Sequence, residues 1–270
     1  MKILVLIKEV PETNNVKMDE STGTIIRSGV ESIINPLDLY AIETALRIKH
    51  SQGASITVVT MGPLTASRSL REAVAMGCDD CVLLSSKDFA GSDTYATAKV
   101  LSSACKKIGG FDLILCGERA TDGDTSQVGP ETASMLNIPI ATYVSKIVDI
   151  SDNRIVIERL VENGYETLSL PFPCLLTVLK EISIPRLPTL KGKQHARKVV
   201  PTVFAAPDFP GITAGLGGSP TRVVKITTPK VTRNGKIITA KERDEMEAAA
   251  DLLVNYLKDK NLMAEKGIKK

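Results

Sequence analysis

The sequence predicts an α/β protein: a mostly parallel sheet with helices on both faces, an added antiparallel hairpin region and a long C-terminal arm ending in a helix. Three observations lead there. Four short apolar runs, at residues 3–7, 55–61, 81–84 and 113–116, are separated by stretches with helical spacing. Strands alternating with helices of this length form β-α-β units, whose strands lie parallel through right-handed crossovers. The pattern changes to hairpins after residue 140, and prolines recur from residue 184 onward.

The first run, residues 3–7, is a buried strand; it is too short for a signal peptide and no small-residue cleavage site follows. A polar hairpin-like excursion comes next, with Asp19-Glu20-Ser21-Thr22-Gly23 as its turn. Asn35 then reads as an N-cap and Pro36 as the first position of a helix. Its apolar face is Leu37, Tyr40, Ala41, Ala45, Leu46 and Ile48, and Gly53 follows its end. Residues 55–61 form the second strand, closed by Gly62-Pro63. Residues 64–76 are helical, 81–84 are the third strand, 94–108 a helix ended by Gly109-Gly110, and 113–116 the fourth strand. Residues 141–150 and 154–161 pair as antiparallel strands, Asn163-Gly164 marks a tight turn, and 165–170 return. Residues 175–179 close the sheet.

Beyond residue 184, Pro185, Pro188, Pro201, Pro207, Pro210 and Pro220 oppose any long regular element. The glycine-rich run at 211–218 follows no clear strand and reads as flexible arm. Thr239-Ala240-Lys241-Glu242 reads as a capping box opening a helix with an apolar stripe of Met246, Ala249, Ala250, Leu253, Tyr256 and Leu257. Such a stripe on a long arm suits a partner surface.

The stretch from Ala120 to Ala133 is the most informative. A small, polar, glycine-bearing loop lies between the fourth strand and a short helix at about residues 130–136, with Pro130 expected at its first position. Unpaired backbone N–H groups and the helix dipole make such a place an anion site. In parallel sheets ligands sit beyond the carboxyl ends of the strands. The segments after residues 7, 61, 84 and 116 all leave that edge. At one of them Asp93 reads as the N-cap of a helix whose Thr94 and Thr97 share a face.

The 270-residue chain has 43% hydrophobic and 24% charged residues, ordinary for a globular protein. A net charge of +3, no Trp and 4% aromatics argue against nucleic acid. No apolar stretch reaches the length of a membrane span, so a cytoplasmic location is expected. Five Cys do not suggest a disulfide framework. Cys78-Asp79-Asp80-Cys81 has CxxC spacing but no companion ligands, so both read as small buried residues, and no metal is expected.

On these residues the chain resembles the β subunit of electron-transfer flavoproteins. The resemblance runs from Met1 to about Lys198. It rests on Val5-Leu6-Ile7-Lys8, Asn35-Pro36-Leu37-Asp38, Met61-Gly62-Pro63, Asp122 through Ala133, the hairpin from Glu158-Arg159 to Glu166-Thr167, and Pro185-Arg186. It implies a Rossmann-like (adenine-nucleotide α-hydrolase-like) nucleotide domain at 1–186. A recognition loop and extended arm wrapping a partner subunit would follow at 187–270.

One branch of the family holds AMP on this subunit; the electron-bifurcating branch holds a second FAD there and takes a hydride from NADH. Val16-Lys17 through Val30, Gly91 through Thr97 and Gly123 through Pro130 resemble the second branch. The resemblance then implies FAD, with AMP as the alternative, and NADH as substrate. It implies as partners the electron-transfer flavoprotein α subunit, a flavin-dependent dehydrogenase or reductase acting on an acyl-CoA, an enoyl-CoA or a 2-hydroxy acid, and ferredoxin as acceptor. The chain would be one subunit of an NAD-dependent bifurcating oxidoreductase, with no general acid or nucleophile of its own.

The expected roles are these. Asn35, Pro36 and Met61 line the adenine and ribose, and Leu6 and Ile7 form an apolar floor. Thr125, Ser126, Gln127 and the N–H groups through Val128 and Gly129 hold the diphosphate, where Gly123 and Gly129 allow close approach. Asp122 and Asp124 bond ribose or cap the loop. Asp93, Thr94 and Thr97 face the flavin, and Pro130, Thr132 and Ala133 complete the family loop. Leu190 anchors the dehydrogenase. A compact ATP-binding stress-type regulator shares the core, but the long arm speaks against it.

Overall fold

The computed structural model describes residues 1–12, 31–224, 235, 237–260 and 262. Its elements in chain order are β1 (Lys2–Ile7), β2 (Glu9–Pro11), β3 (Ser32–Ile34), α1 (Pro36–Gln52), β4 (Ser55–Met61), α2 (Ser67–Met76), β5 (Asp80–Leu84), α3 (Thr94–Ile108) and β6 (Leu113–Gly117). There follow α4 (Val128–Leu136), β7 (Ile140–Ser151), β8 (Arg154–Val161), β9 (Gly164–Pro171), β10 (Cys174–Val178), α5 (Leu190–Ala196), β11 (Thr202–Phe204), α6 (Gly215–Gly218) and α7 (Arg243–Asp259). The expected turn at residues 19–23 lies outside the described residues.

A nine-stranded sheet runs in the order β11-β5-β4-β1-β6-β10-β7-β8-β9. Neighbours from β11 through β7 are parallel, and β7-β8-β9 continue as an antiparallel ribbon. β2 and β3 pair antiparallel in a separate small sheet. The expected α/β sheet with an added hairpin region is thus present.

Alternation along β1 shows why its apolar run is continuous. Ile3, Val5 and Ile7 join Ala41, Ile42, Leu70 and Val74 of α1 and α2 in one buried cluster. Leu4 and Leu6 join Val100, Leu101 and Ala104 of α3 and Ala133 of α4 in another. Successive side chains of a strand point to opposite faces, and here both faces are covered by helices.

Three local expectations shift. α4 begins at Val128, so Pro130 is its third residue rather than its first. The first four helical N–H groups have no intrahelical acceptor, so proline there still forfeits no hydrogen bond. α7 begins at Arg243 because Glu245 Oε2 accepts the N–H groups of Lys241 at 2.9 Å and Glu242 at 3.3 Å, displacing Thr239 from the cap. The chain after residue 184 is also less extended than its prolines suggest. Prolines bar long elements but leave short ones: Thr189 caps α5 by accepting from Gly192 N–H at 3.0 Å, and β11 extends the sheet beside β5.

By compactness Met1–Ile226 form one unit and Thr227–Lys270 a second. The boundary expected near residue 186 therefore falls inside the first unit. In the second unit α7 buries no side chain, and Met246, Leu253 and Tyr256 of its stripe are exposed. All five cysteines are free and buried.

Candidate functional site

From β1 the chain proceeds outward to β4 and β5, then returns to place β6 on the other side of β1. The order reverses between β1 and β6, and the crevice beyond their carboxyl ends is the switch point where such sheets bind ligands. The first turn of α1 holds that crevice in shape. Asp38 is buried, and its Oδ2 accepts the backbone N–H of Lys8 at 2.7 Å while Oδ1 accepts that of Gly117 at 3.0 Å. Burial raises the Asp38 carboxyl to about 7, against the pull of the Lys8 N–H, the Asn35 amide, the Gly117 N–H and the Lys8 ammonium.

Asn35 does not cap α1 with its side chain, contrary to expectation. Its Nδ2 donates to Arg119 O at 2.8 Å and its Oδ1 accepts from Thr121 N–H at 3.2 Å. Its own N–H donates to Lys8 O at 2.8 Å. Asn35 thus ties the end of β1 to the loop after β6. Pro36 stands at the start of α1 as expected.

The loop from Glu118 to Gln127 turns twice through left-handed backbone, at Asp124 (φ 52°) and Ser126 (φ 55°), and then enters α4. Its two aspartates are matched by cations: Lys8 Nζ lies 2.7 Å from Asp122 Oδ1, and Arg119 Nε 2.8 Å from Asp124 Oδ1. Each ion pair withdraws a negative charge from the mouth of α4, which favours an anion there. Gly123 is open to its surroundings. Gly129 is not: a Cβ there would stand 2.7 Å from Thr177 Cγ2 and 3.1 Å from Cys116 Sγ. Its small size therefore serves the packing of α4 on β10 and β6.

The start of α3 meets the start of α4. Thr94 Oγ1 lies 3.2 Å from both Gln127 Oε1 and Glu131 Oε1. Among the described residues Glu131 Oε2 is buried without a hydrogen-bond partner, and burial raises the carboxyl of Glu131 despite the Thr94 hydroxyl. Such an orphaned polar atom beside two helix N-termini fits a site that takes a polar ligand. Asp93 caps α3, its Oδ1 accepting from Ala96 N–H at 2.9 Å. Its Oδ2 is also taken, by the N–H of Thr221 at 2.9 Å and its hydroxyl at 2.7 Å. Burial opposes ionisation of Asp93, but these donors outweigh it and hold the carboxyl below its ordinary range. The run at 211–218, expected as free arm, packs here: Gly215 N–H donates to Ser92 Oγ at 2.8 Å.

The remaining expected residues separate. Leu6 and Ile7 end β1 on opposite faces of the sheet, and Met61 ends β4 at the same edge. Thr125 and Gln127 are exposed on the loop, Ser126 is half-buried there, and Thr97 lies one turn into α3. Val128 packs towards the Leu4 cluster, and Thr132 and Ala133 are buried, with Thr132 Oγ1 donating to Val128 O at 2.7 Å. Leu190 opens α5, which rests against the C-terminal end of α2 near Ala75, at the amino-terminal end of the sheet. It is 82% exposed. The sequence reading assigned no role to Lys8, Asp38, Arg119 or Glu131. The available signal was a charged residue directly after an apolar run, as at Lys8 and Glu118-Arg119.

Among the described residues no helix is long and apolar enough to cross a membrane. A family model described as "Electron transfer flavoprotein domain" matches residues 22–209. The chain is 46% identical over 256 residues to an electron transfer flavoprotein subunit beta of Thermoanaerobacterium thermosaccharolyticum, covering 94% of this chain and 98% of that one. It is 43% identical over 267 residues to the caffeyl-CoA reductase-Etf complex subunit CarD of Acetobacterium woodii, covering 97% and 100%. It is 39% identical over 263 residues to the acryloyl-CoA reductase electron transfer subunit gamma of Anaerotignum propionicum, covering 94% and 98%.

Proposed function

The chain belongs to the electron transfer flavoprotein family as a β subunit, and we propose that it is the nucleotide-holding subunit of an electron-bifurcating complex, binding FAD at the β1–β6 switch point with NADH as hydride donor. The observation that carries this reading is the convergence of the 118–127 loop, the start of α4 and the Thr94 end of α3 on one crevice. Two relatives bear names of reductase complexes, for caffeyl-CoA and acryloyl-CoA, which supports a flavin-dependent reductase as partner. The α subunit and ferredoxin complete the proposed assembly.

When bound, the flavin supplies two-electron uptake and one-electron release, which no side chain of this protein performs. The chain's own residues position it. N–H groups from Thr125 to Gly129 and the side chains of Thr125, Ser126 and Gln127 receive the diphosphate at the positive end of α4. Asn35, Pro36 and Met61 line the adenosine side, over Leu6 and Ile7. Thr94 and Thr97 offer hydroxyls to the polar ring edge. Leu190, remote from that crevice, is left to contact the reductase.

The test is a nucleotide inventory of the purified α/β complex by acid release and chromatography. Two FAD per heterodimer, with NADH oxidation that reduces ferredoxin, is the expected result. One FAD and one AMP would replace this reading with that of a simple electron carrier. Thr125→Ala combined with Gln127→Ala lowers nucleotide content; unchanged content would remove the loop from the site.

A further inference from the structure

Lys8 is the charged residue that directly follows β1, and its backbone is fixed by bonds that do not involve its ammonium group. Its backbone N–H is held by buried Asp38 at 2.7 Å, and its carbonyl accepts from Asn35 N–H at 2.8 Å. The same two residues hold the other wall, through Gly117 N–H, Arg119 O and Thr121 N–H. The Lys8 side chain reaches across the switch point to Asp122 Oδ1 at 2.7 Å. Asp122 is an exposed residue whose side chain is turned in, 11% exposed against 46% for that of Lys8. Among the described residues that bond uses one of the three donors of the ammonium. Asp122 belongs to the loop that leads from β6 into the start of α4.

We propose that Lys8 is a phosphate-recognition residue of this site, with Asp122 as the carboxylate that aims it. The ligand class is a nucleotide bearing a phosphate or diphosphate, so the inference rests on the nucleotide reading above and names its anchoring cation. Backbone N–H groups at a helix start supply partial charge only. A full positive charge, pinned through the chain on both sides, lets the site carry two aspartates in its loop and still hold an anion. A lysine serving only to close the loop would give the same ion pair, and the two roles separate experimentally.

The experiment uses the α/β complex carrying Lys8→Gln, Lys8→Arg, Asp122→Asn or both Lys8→Gln and Asp122→Asn. It measures bound nucleotide after purification and the rate of nucleotide release at low and high ionic strength. Lys8→Gln is expected to weaken retention roughly tenfold or more, the scale of one charge-assisted hydrogen bond. It also flattens the dependence on salt, because the screened interaction is gone. Lys8→Arg keeps the salt dependence, and Asp122→Asn retains nucleotide better than Lys8→Gln.

Wild-type retention and salt dependence in Lys8→Gln would overturn the proposal. So would equal losses in Lys8→Gln, Asp122→Asn and the double variant, the signature of a pair that only closes the loop. A wild-type complex free of nucleotide would instead overturn the nucleotide reading, and this inference with it.

Discussion

Asp38 and Gly117 join α1 to β6 at closest range: the buried carboxylate accepts the glycine N–H at 3.0 Å, and a Cβ on Gly117 would stand 2.6 Å from the same oxygen. Two strand ends, β1 and β6, are thus held by one side chain. Asp38→Asn turns an amide NH2 toward one of the two N–H donors. It lowers stability by about 1–3 kcal/mol, the scale of an unsatisfied buried group. Gly117→Ala displaces the carboxylate and meets the Leu37 backbone as well, with a loss of similar size. Denaturant midpoints at constant m-value check both; wild-type midpoints would show that the bridge contributes nothing.

The same carboxyl sets a pH dependence. Its ordinary value is 3.8 and burial raises it to about 7 in the fold, so between those values the folded state binds a proton that the unfolded chain has lost. Its contribution to stability is full below the unfolded value and falls as pH rises through the folded one. The difference in Tm between wild type and Asp38→Asn should shrink from about pH 4 to about pH 8. A constant difference across that range would assign the bond to an always-ionised carboxylate.

Gly129→Ala tests whether that glycine serves packing. The added methyl would meet Thr177 Cγ2 at 2.7 Å and Cys116 Sγ at 3.1 Å, which lifts α4 from the sheet and lowers stability by about 1–3 kcal/mol. Nucleotide retention falls together with Tm. A loss of nucleotide at unchanged Tm would show that the missing side chain of Gly129 serves ligand approach and not packing.

Much of this arrangement was legible in the sequence, and the exceptions share a cause. The run 55–61 and the helix 94–108 appear with the boundaries expected, because caps and apolar periodicity are local signals. The insertion of β10 between β6 and β7 is set by pairings far apart in the chain, to which periodicity is blind. Asn35 had the right residue type for a cap, but the loop at Arg119 and Thr121 competes for its amide. Asp93 was legible as a cap, whereas its second set of partners comes from Thr221, 128 residues away.

Glu43 and Arg186 form a clamp at the base of the segment leading to Leu190. The guanidinium contributes Nε to Oε2 at 2.7 Å and Nη2 to Oε1 at 3.0 Å, and the Arg186 N–H adds a third bond at 3.2 Å. Glu43 is buried on α1. Among the described residues Arg186→Met leaves that carboxylate with Arg47 and the backbone N–H of residue 186, costs about 1–3 kcal/mol and speeds amide exchange at residues 183–189. Unchanged exchange would show that the segment is held by packing instead.

Leu190→Ala separates docking from folding. The side chain is 82% exposed, so its truncation leaves the free energy of unfolding within about 0.5 kcal/mol of wild type, while reduction of the partner reductase slows. Equal reduction rates would remove Leu190 from the proposed contact.

Strand β11 has a consequence for how the protein is made. Residues 202–204 close the edge of β5 by pairing Thr202, Val203 and Phe204 with Val82, Leu83 and Leu84. A ribosome that has completed β5 must still synthesise more than a hundred residues before that partner emerges. Throughout that interval the nascent chain presents an unpaired apolar edge, the kind of surface that recruits other strands. Truncation before residue 202 recreates the exposed edge permanently, so a shortened chain is expected to aggregate during translation even though the strands from β1 to β10 are intact.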